Sequence, residues 1–300
     1  MELIVTIGGK VLPNPVGAAS GVIGFGDEYA SLTDLNSLGA LYTKAVTPEP
    51  RAGNTPPRLV ETPAGLINSI GLANPGLEGF LRDKLPILRG LPCPAIVNVA
   101  GSLEDDYVRV SEALAECEEV WGVELNVSCP NVDHGGKTFG TEPGILASLV
   151  RAVRRVMTKP LIVKLSPAVT DIAQLAKAAE DAGADAVSCI NTLVGMKVDI
   201  HLRRPVIPRG TGGLSGPAIR PVGVAAVWQA ARAVKIPVIG VGGIAGASDA
   251  LEYLLAGASA IQIGTALFAE PEIPARVLSG IRQYLRKGGL RKISDLHGFF

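Results

Sequence analysis

The chain has 300 residues, 47% of them hydrophobic and 19% charged, and its 28 lysines and arginines balance 28 aspartates and glutamates. That composition excludes a disordered chain and supplies a sizeable core, at a length that suits one large domain or two. The balanced charge gives no electrostatic attraction for nucleic acid or for an anionic membrane.

The first six residues lack the basic region followed by an apolar stretch that marks a secretory signal. Residues 3–13 read as a short hairpin closing the bottom of a barrel. Strand candidates then centre on residues 16–20, 40–45, 95–99, 122–127, 160–165, 185–191, 237–241 and 259–263. Three of these start at a proline (Pro94, Pro160, Pro237) and run into an apolar stretch. Two share a helix-end-to-strand junction, Ala182-Gly183-Ala184 and Ala256-Gly257-Ala258. Each glycine suits the left-handed position just past a helix, with a buried strand following. Amphipathic stretches such as 171–180, apolar at helical spacing, separate the strands. Alternating strands and helices predict parallel strands with helices outside. Eight such units predict an α/β fold, a (β/α)8 TIM barrel, with residues 1–300 forming a single domain.

Two long connections, about 46–75 and 192–216, are rich in Gly, Pro and Asn and are expected to cover the C-terminal face as long βα loops. The uncharged run 253–269 contains Gly257, Ser259, Gln262, Gly264 and Thr265, and divides into helix end, turn and strand rather than spanning a membrane. Cys93, Cys117, Cys129 and Cys189 are scattered with no C-x-x-C pair. This is the pattern of reduced thiols in a cytoplasmic protein, without a disulfide framework or a zinc or iron–sulfur site.

The strand ends carry the chemistry. In order they are Ser20, Lys44, Asn98, Asn126, Lys164, Asn191, Gly242-Gly243 and Gly264-Thr265. The strand interiors read as almost wholly apolar, and a buried lysine or asparagine is costly unless paired. Any one of these residues could be a satisfied structural group. Six consecutive polar strand ends on one rim instead make a polar-lined pocket at the face where barrel enzymes work. Glycines after the seventh and eighth strands let backbone N–H groups approach a phosphate, although they could also serve helix–strand packing alone. Gly240-x-Gly242-x-x-Ala245 matches a relaxed dinucleotide fingerprint, but no acidic residue stands about 20 positions on, so a Rossmann domain is rejected. Lysines, asparagines and a phosphate cradle together suit FMN, whose reduced form a nearby lysine stabilises. A flavin-free phosphate-binding barrel isomerase or lyase would use the same loops, but would more usually show a glutamate or histidine base at a strand end. A non-catalytic binding barrel is hard to reconcile with Lys44, Cys129 and Lys164.

The segment Asn126-Val127-Ser128-Cys129-Pro130-Asn131 sets a thiol where a strand meets the glycine-bearing stretch 133–140, expected to act as a closing loop. Together with Asn68-Ser69-Ile70-Gly71-Leu72-Ala73-Asn74-Pro75-Gly76, Gly212-Gly213-Leu214-Ser215-Gly216-Pro217 and Gly242-Gly243-Ile244, it resembles dihydroorotate dehydrogenase. The nearest likeness is to the cysteine-containing, NAD-linked class 1B catalytic subunit, over most of the chain from Asn14 to Phe268. The resemblance implies oxidation of dihydroorotate to orotate in pyrimidine biosynthesis, with one FMN per chain. It implies FMN contacts from Ser20, Lys44, Ala45, Asn98, Asn126, Lys164, Ile190, Gly216, Gly242, Gly243, Gly264 and Thr265. Substrate contacts would come from Lys44, Asn68, Ser69, Ile70, Gly71, Leu72, Asn126, Asn191 and Thr192, and Cys129 would be the base. Class 1B further implies a separate FAD and [2Fe-2S] subunit passing electrons to NAD⁺, in a heterotetramer built on a homodimer of this chain. The fumarate-using class 1A shares the cysteine and is the nearest alternative.

Other residues read as structural. Cys93, Cys117 and Cys189 are expected to be buried and inert, and His134, a residue of the closing stretch, to be solvated. His201 and His297 have no partners at metal spacing, and no metal is expected. Trp121 and Trp228 are taken as packing residues at element boundaries, and residues 290–300 carry no informative motif.

Overall fold

The computed structural model of the chain describes residues 2–29, 31–128 and 139–298. Among them, eight short, almost wholly buried strands form in the expected places. They are β1 (Val16–Ala18), β2 (Ala40–Tyr42), β3 (Ala95–Val99), β4 (Val120–Asn126), β5 (Leu161–Leu165), β6 (Ala186–Cys189), β7 (Val238–Val241) and β8 (Ala260–Ile263). Each pairs in parallel with its neighbours in chain order, and β8 pairs with β1 to close the barrel. Apolar runs without polar alternation suit strands buried on both faces.

Helices Glu104–Ala115, Pro143–Val156, Ile172–Asp181, Arg220–Ala233 and Ala247–Leu255 follow β3 to β7. The side chain of Asp171 caps Ile172–Asp181, accepting from the N–H groups of Ala173 and Gln174 at 3.0 and 3.3 Å. Gly183 and Gly257 have φ of +101° and +109°, the left-handed turns expected after their helices. The alternation lacks an α-helix between β1 and β2 among the described residues. Between β1 and β2 the described residues form a single 3-10 turn, Leu35–Ser37, and the helix Ile273–Lys287 packs over that side. Its buried face (Ile273, Val277, Ile281, Leu285) repeats every fourth residue, as an outer helix lying on a sheet requires.

The hairpin Val5–Ile7 with Lys10–Leu12 seals the bottom. Val5, Ile7 and Leu12 pack against inward residues such as Ala40, Ile96, Ile162, Ala186 and Ala260 from the strands' first turns. The two long connections are not simple loops, which corrects the sequence reading. Leu59–Thr62, Gly65–Asn68, Gly212–Ser215 and Leu193–Gly195 form a four-stranded antiparallel sheet over the C-terminal face, beside a hairpin of Val198–Asp199 and Arg204–Pro205. The barrel interior also differs from expectation, because it is not wholly apolar. Alternate strands β2, β4, β6 and β8 contribute Tyr42, Glu124, Ser188 and Gln262, all buried, in the four-residue layering usual for such barrels. Trp121 follows the first residue of β4, but Trp228 lies inside helix Arg220–Ala233 rather than at its boundary. Trp228 is 39% exposed, with the Arg232 guanidinium 4.9 Å from its ring centre. Cys93 and Cys189 are buried as expected, whereas Cys117 is only half-buried. Among the described residues no helix is long and apolar enough to cross a membrane.

Candidate active site

The parallel strands all deliver their C-terminal ends to one rim, and the antiparallel cover roofs it. Between them lies a cavity of about 720 Å³, within the range of small-molecule and cofactor sites. Every site residue expected from the sequence, Cys129 excepted, lines this cavity. Ser20, Lys44, Ala45, Asn98, Asn126, Lys164, Ile190, Asn191 and Thr192 come from strand ends or the residues just beyond. Asn68, Ser69, Ile70, Gly71 and Leu72 come from the cover. Cys129, Pro130, Asn131 and His134 lie outside the described residues.

Gly216, Gly242, Gly243, Gly264 and Thr265 line the same cavity. Gly243 has φ +68°, and a Cβ there would stand 2.8 Å from the carbonyl oxygen of Gly216 and 2.9 Å from the Arg220 nitrogen. Only glycine leaves this backbone in place and open to a ligand. The Thr265 hydroxyl donates to Ser215 Oγ at 2.8 Å, tying the β8 end to the cover. Beneath the cradle, Arg220 pairs with Asp249, whose other oxygen accepts from the Ala245 N–H at 2.8 Å. Backbone N–H groups beside small residues, braced in this way, fit an anionic phosphate.

The lining is also cationic and amide-rich. Among the described residues, the half-buried Lys44 ammonium makes no hydrogen bond or ion pair. Lys164, 6% exposed, holds its ammonium 3.9 Å from Glu124 Oε2. Asn191 Nδ2 donates to Asn126 Oδ1 at 3.1 Å and to Ser128 Oγ at 2.8 Å, while its own Oδ1 accepts from the Thr192 N–H. Tyr107 donates to the Asn126 carbonyl at 2.7 Å. Asn68 Nδ2 reaches across the roof to the Gly213 carbonyl. These amides are fixed by their neighbours before any ligand arrives.

One buried group was not anticipated. Glu124 Oε2 accepts from Asn98 Nδ2 at 2.8 Å, and Oε1 accepts from Ser188 Oγ at 2.9 Å and Gln262 Nε2 at 2.7 Å. The same carboxylate adds to burial in pushing the Tyr42 hydroxyl well above the ordinary phenol range. Its signal in the sequence was a carboxylate in an apolar run, two residues before Asn126 and so on the same face of the strand. Asn98 Oδ1 is buried with no hydrogen-bond partner among the described residues. A buried acceptor left unpaired costs about 1–3 kcal/mol, so this atom fits a donor N–H on a bound ring. An orphaned acceptor, a glycine cradle and two lysines match a flavin mononucleotide in size, polarity and charge. The described residues contain no group of three or more His, Cys, Asp or Glu able to hold a metal ion.

Comparison with known proteins gives a consistent result. The family profile described as dihydroorotate dehydrogenase matches residues 2–285. A Trichlorobacter lovleyi protein named dihydroorotate dehydrogenase B (NAD(+)), catalytic subunit, is 52% identical over 294 residues, covering 98% of this chain and 97% of that protein. Proteins of the same name from Pelobacter propionicus and Geobacter metallireducens are each 50% identical over 297 residues. These matches cover 99% of this chain, and 98% and 97% of those proteins respectively.

Proposed function

The chain belongs to the dihydroorotate dehydrogenase family, and from that premise we propose that it oxidises dihydroorotate to orotate, a step of pyrimidine biosynthesis, with FMN in the cavity. The observation that carries this reading is the convergence of Lys44, Asn98, Asn126, Lys164 and Asn191 on one cavity that Gly216, Gly242, Gly243 and Gly264 also line. Gly216, Gly242, Gly243, Gly264 and Thr265 would hold the phosphate. Asn98, Asn126, Lys44 and Lys164 would hold the ring, with Ser20, Ala45 and Ile190 packing beside it. Asn68 to Leu72, Asn191 and Thr192 would hold the dihydroorotate ring and carboxylate, which Lys44 and Asn126 also reach.

When bound, FMN supplies the hydride acceptor for the hydrogen leaving C6 of dihydroorotate. Cys129 Sγ is assigned the C5 proton, a role that rests on the resemblance of its motif. Asn126 and Asn191, locked by each other and by Ser128, orient the substrate amides. The Lys44 ammonium, with no anion paired to it among the described residues, is suited to the substrate carboxylate and to charge that grows on reduction. An unperturbed cysteine thiol titrates near about 8.5. Turnover should therefore rise with pH through the thiol's range, as the base form accumulates.

The named relatives are catalytic subunits. We extend this to a partner carrying FAD and a [2Fe-2S] cluster that passes electrons to NAD⁺, in a heterotetramer built on a homodimer of this chain. Val194, Met196, Val198, Ile200 and Leu202 in the cover are all at least half exposed, Val194 and Ile200 by 78% and 77%. An apolar surface of this kind supports burial in an assembly. Anaerobic mixing with dihydroorotate tests the reaction: the yellow flavin should bleach, and a colourless protein or an unbleached flavin would refute the reading. Turnover with NAD⁺ only when the partner is present supports the NAD-linked assembly, whereas unaided turnover with fumarate overturns it.

A further inference from the structure

Glu124 does not line the cavity, yet it holds two residues that do, Asn98 and Lys164. Its carboxylate is fully buried inside the barrel, beneath the cavity. A carboxylate only accepts hydrogen bonds, so the group that Asn98 turns towards it must be the amide nitrogen. The Asn98 oxygen is then the acceptor left over. Like Gln262 Oε1 on the far side of the carboxylate, it is buried with no partner among the described residues, but of the two residues Asn98 alone lines the cavity. The same Oε2 faces the Lys164 ammonium at 3.9 Å. Ser188 and Gln262 hold Oε1 from the other side, so the carboxylate cannot turn away.

We propose that Glu124 is a positioning residue for the flavin: it fixes the Asn98 amide with its oxygen as the acceptor for a ring N–H, and it balances the Lys164 charge beside the ring. The inference rests on the FMN reading above and deepens it. Replacing the carboxylate by an amide removes one negative charge and supplies one oxygen where the donors of Asn98, Ser188 and Gln262 now converge. Asn98 is then free to rotate its amide, turning its N–H₂ away from the new side chain and towards the ligand or losing its fixed orientation altogether. The uncompensated Lys164 charge would favour the reduced, negatively charged ring.

The test compares wild type, Glu124→Gln and Ser188→Ala, each titrated with FMN and then poised in a redox titration. Glu124→Gln should bind FMN at least about 10-fold more weakly, the effect of mispairing one buried polar group, and its midpoint potential should move positive. Ser188→Ala loses one of the two bonds to the far oxygen, which Gln262 still holds in place, so it should lose thermal stability while keeping wild-type FMN affinity and potential. Wild-type affinity and potential in Glu124→Gln overturn the proposal, as does an equal shift in potential in Ser188→Ala. If Glu124→Gln does not accumulate as folded protein, Glu124→Asp carries the test. It keeps the charge but withdraws from Asn98, so it should weaken FMN with little change in potential; unchanged affinity overturns the proposal. Failure of wild type itself to bind FMN refutes the flavin reading separately.

Discussion

Substituting Gly243 by alanine should cripple FMN binding while leaving the barrel folded. The new Cβ would lie 2.7 Å from Arg220 Cβ, 2.8 Å from the Gly216 carbonyl oxygen and 2.9 Å from the Arg220 nitrogen. Two of these atoms are backbone and cannot swing aside, so the β7 end and the Gly216 turn must separate. Overpacking of this kind costs about 1–3 kcal/mol, and a φ of +68° adds left-handed strain of about 1–2 kcal/mol for alanine. Displaced N–H groups would also weaken at least one charge-assisted bond to phosphate, itself about 1.5–3 kcal/mol. Part of the strain falls on the free protein, leaving about 3–4 kcal/mol on binding, or about 10²- to 10³-fold in Kd. Quenching of flavin fluorescence in an equilibrium titration reads this directly. Gly246→Ala is the matched control in the same loop: its backbone is extended, with φ −173°, and its nearest neighbour is Asp249 Oδ2 at 3.9 Å. Wild-type affinity in Gly243→Ala, or equal losses in both variants, would refute the cradle.

Further outcomes follow from the same structure. Cys129→Ala should retain FMN but slow its bleaching by dihydroorotate at least about 10²-fold, the lower end of general-base contributions; near-normal stopped-flow rates would remove the cysteine from the mechanism. Burial pushes the Cys93 thiol up to about 11 and Cys189 up to about 12, so both stay protonated at pH 8. Neither should be alkylated by iodoacetamide in the native protein, as peptide mass spectrometry can check, and labelling should climb only as strongly alkaline pH produces thiolate. Ile7→Ala should cost about 2–5 kcal/mol, because the side chain is wholly buried in the bottom plug. Denaturant unfolding would measure this, and a loss under about 1 kcal/mol would show that the hairpin does not seal the barrel.

What the sequence determined by itself was the local grammar of the barrel. The eight strands, the left-handed turns at Gly183 and Gly257, and the polar strand ends from Ser20 to Asn191 depend on neighbouring residues in the chain. Apolar runs, prolines and glycines therefore reveal them. The positive φ of Gly216, Gly242 and Gly243 was open to a sequence reading for the same reason, since backbone freedom is intrinsic to the residue. Tertiary structure alone decided the remainder. Asn68 bonds across 145 residues to the Gly213 carbonyl, and no local pattern announces an antiparallel pairing of two Gly-rich connections that read singly as loops. Trp228 reads equally well as packing or as surface until its helix is set against the barrel. Glu124 is the sharpest case. Within its own strand it is a misplaced charge, and only closure of the barrel brings Asn98, Ser188 and Gln262 to its carboxylate. Hydrogen bonds between side chains of different strands are fixed by closure and register, and neither is written in any one segment.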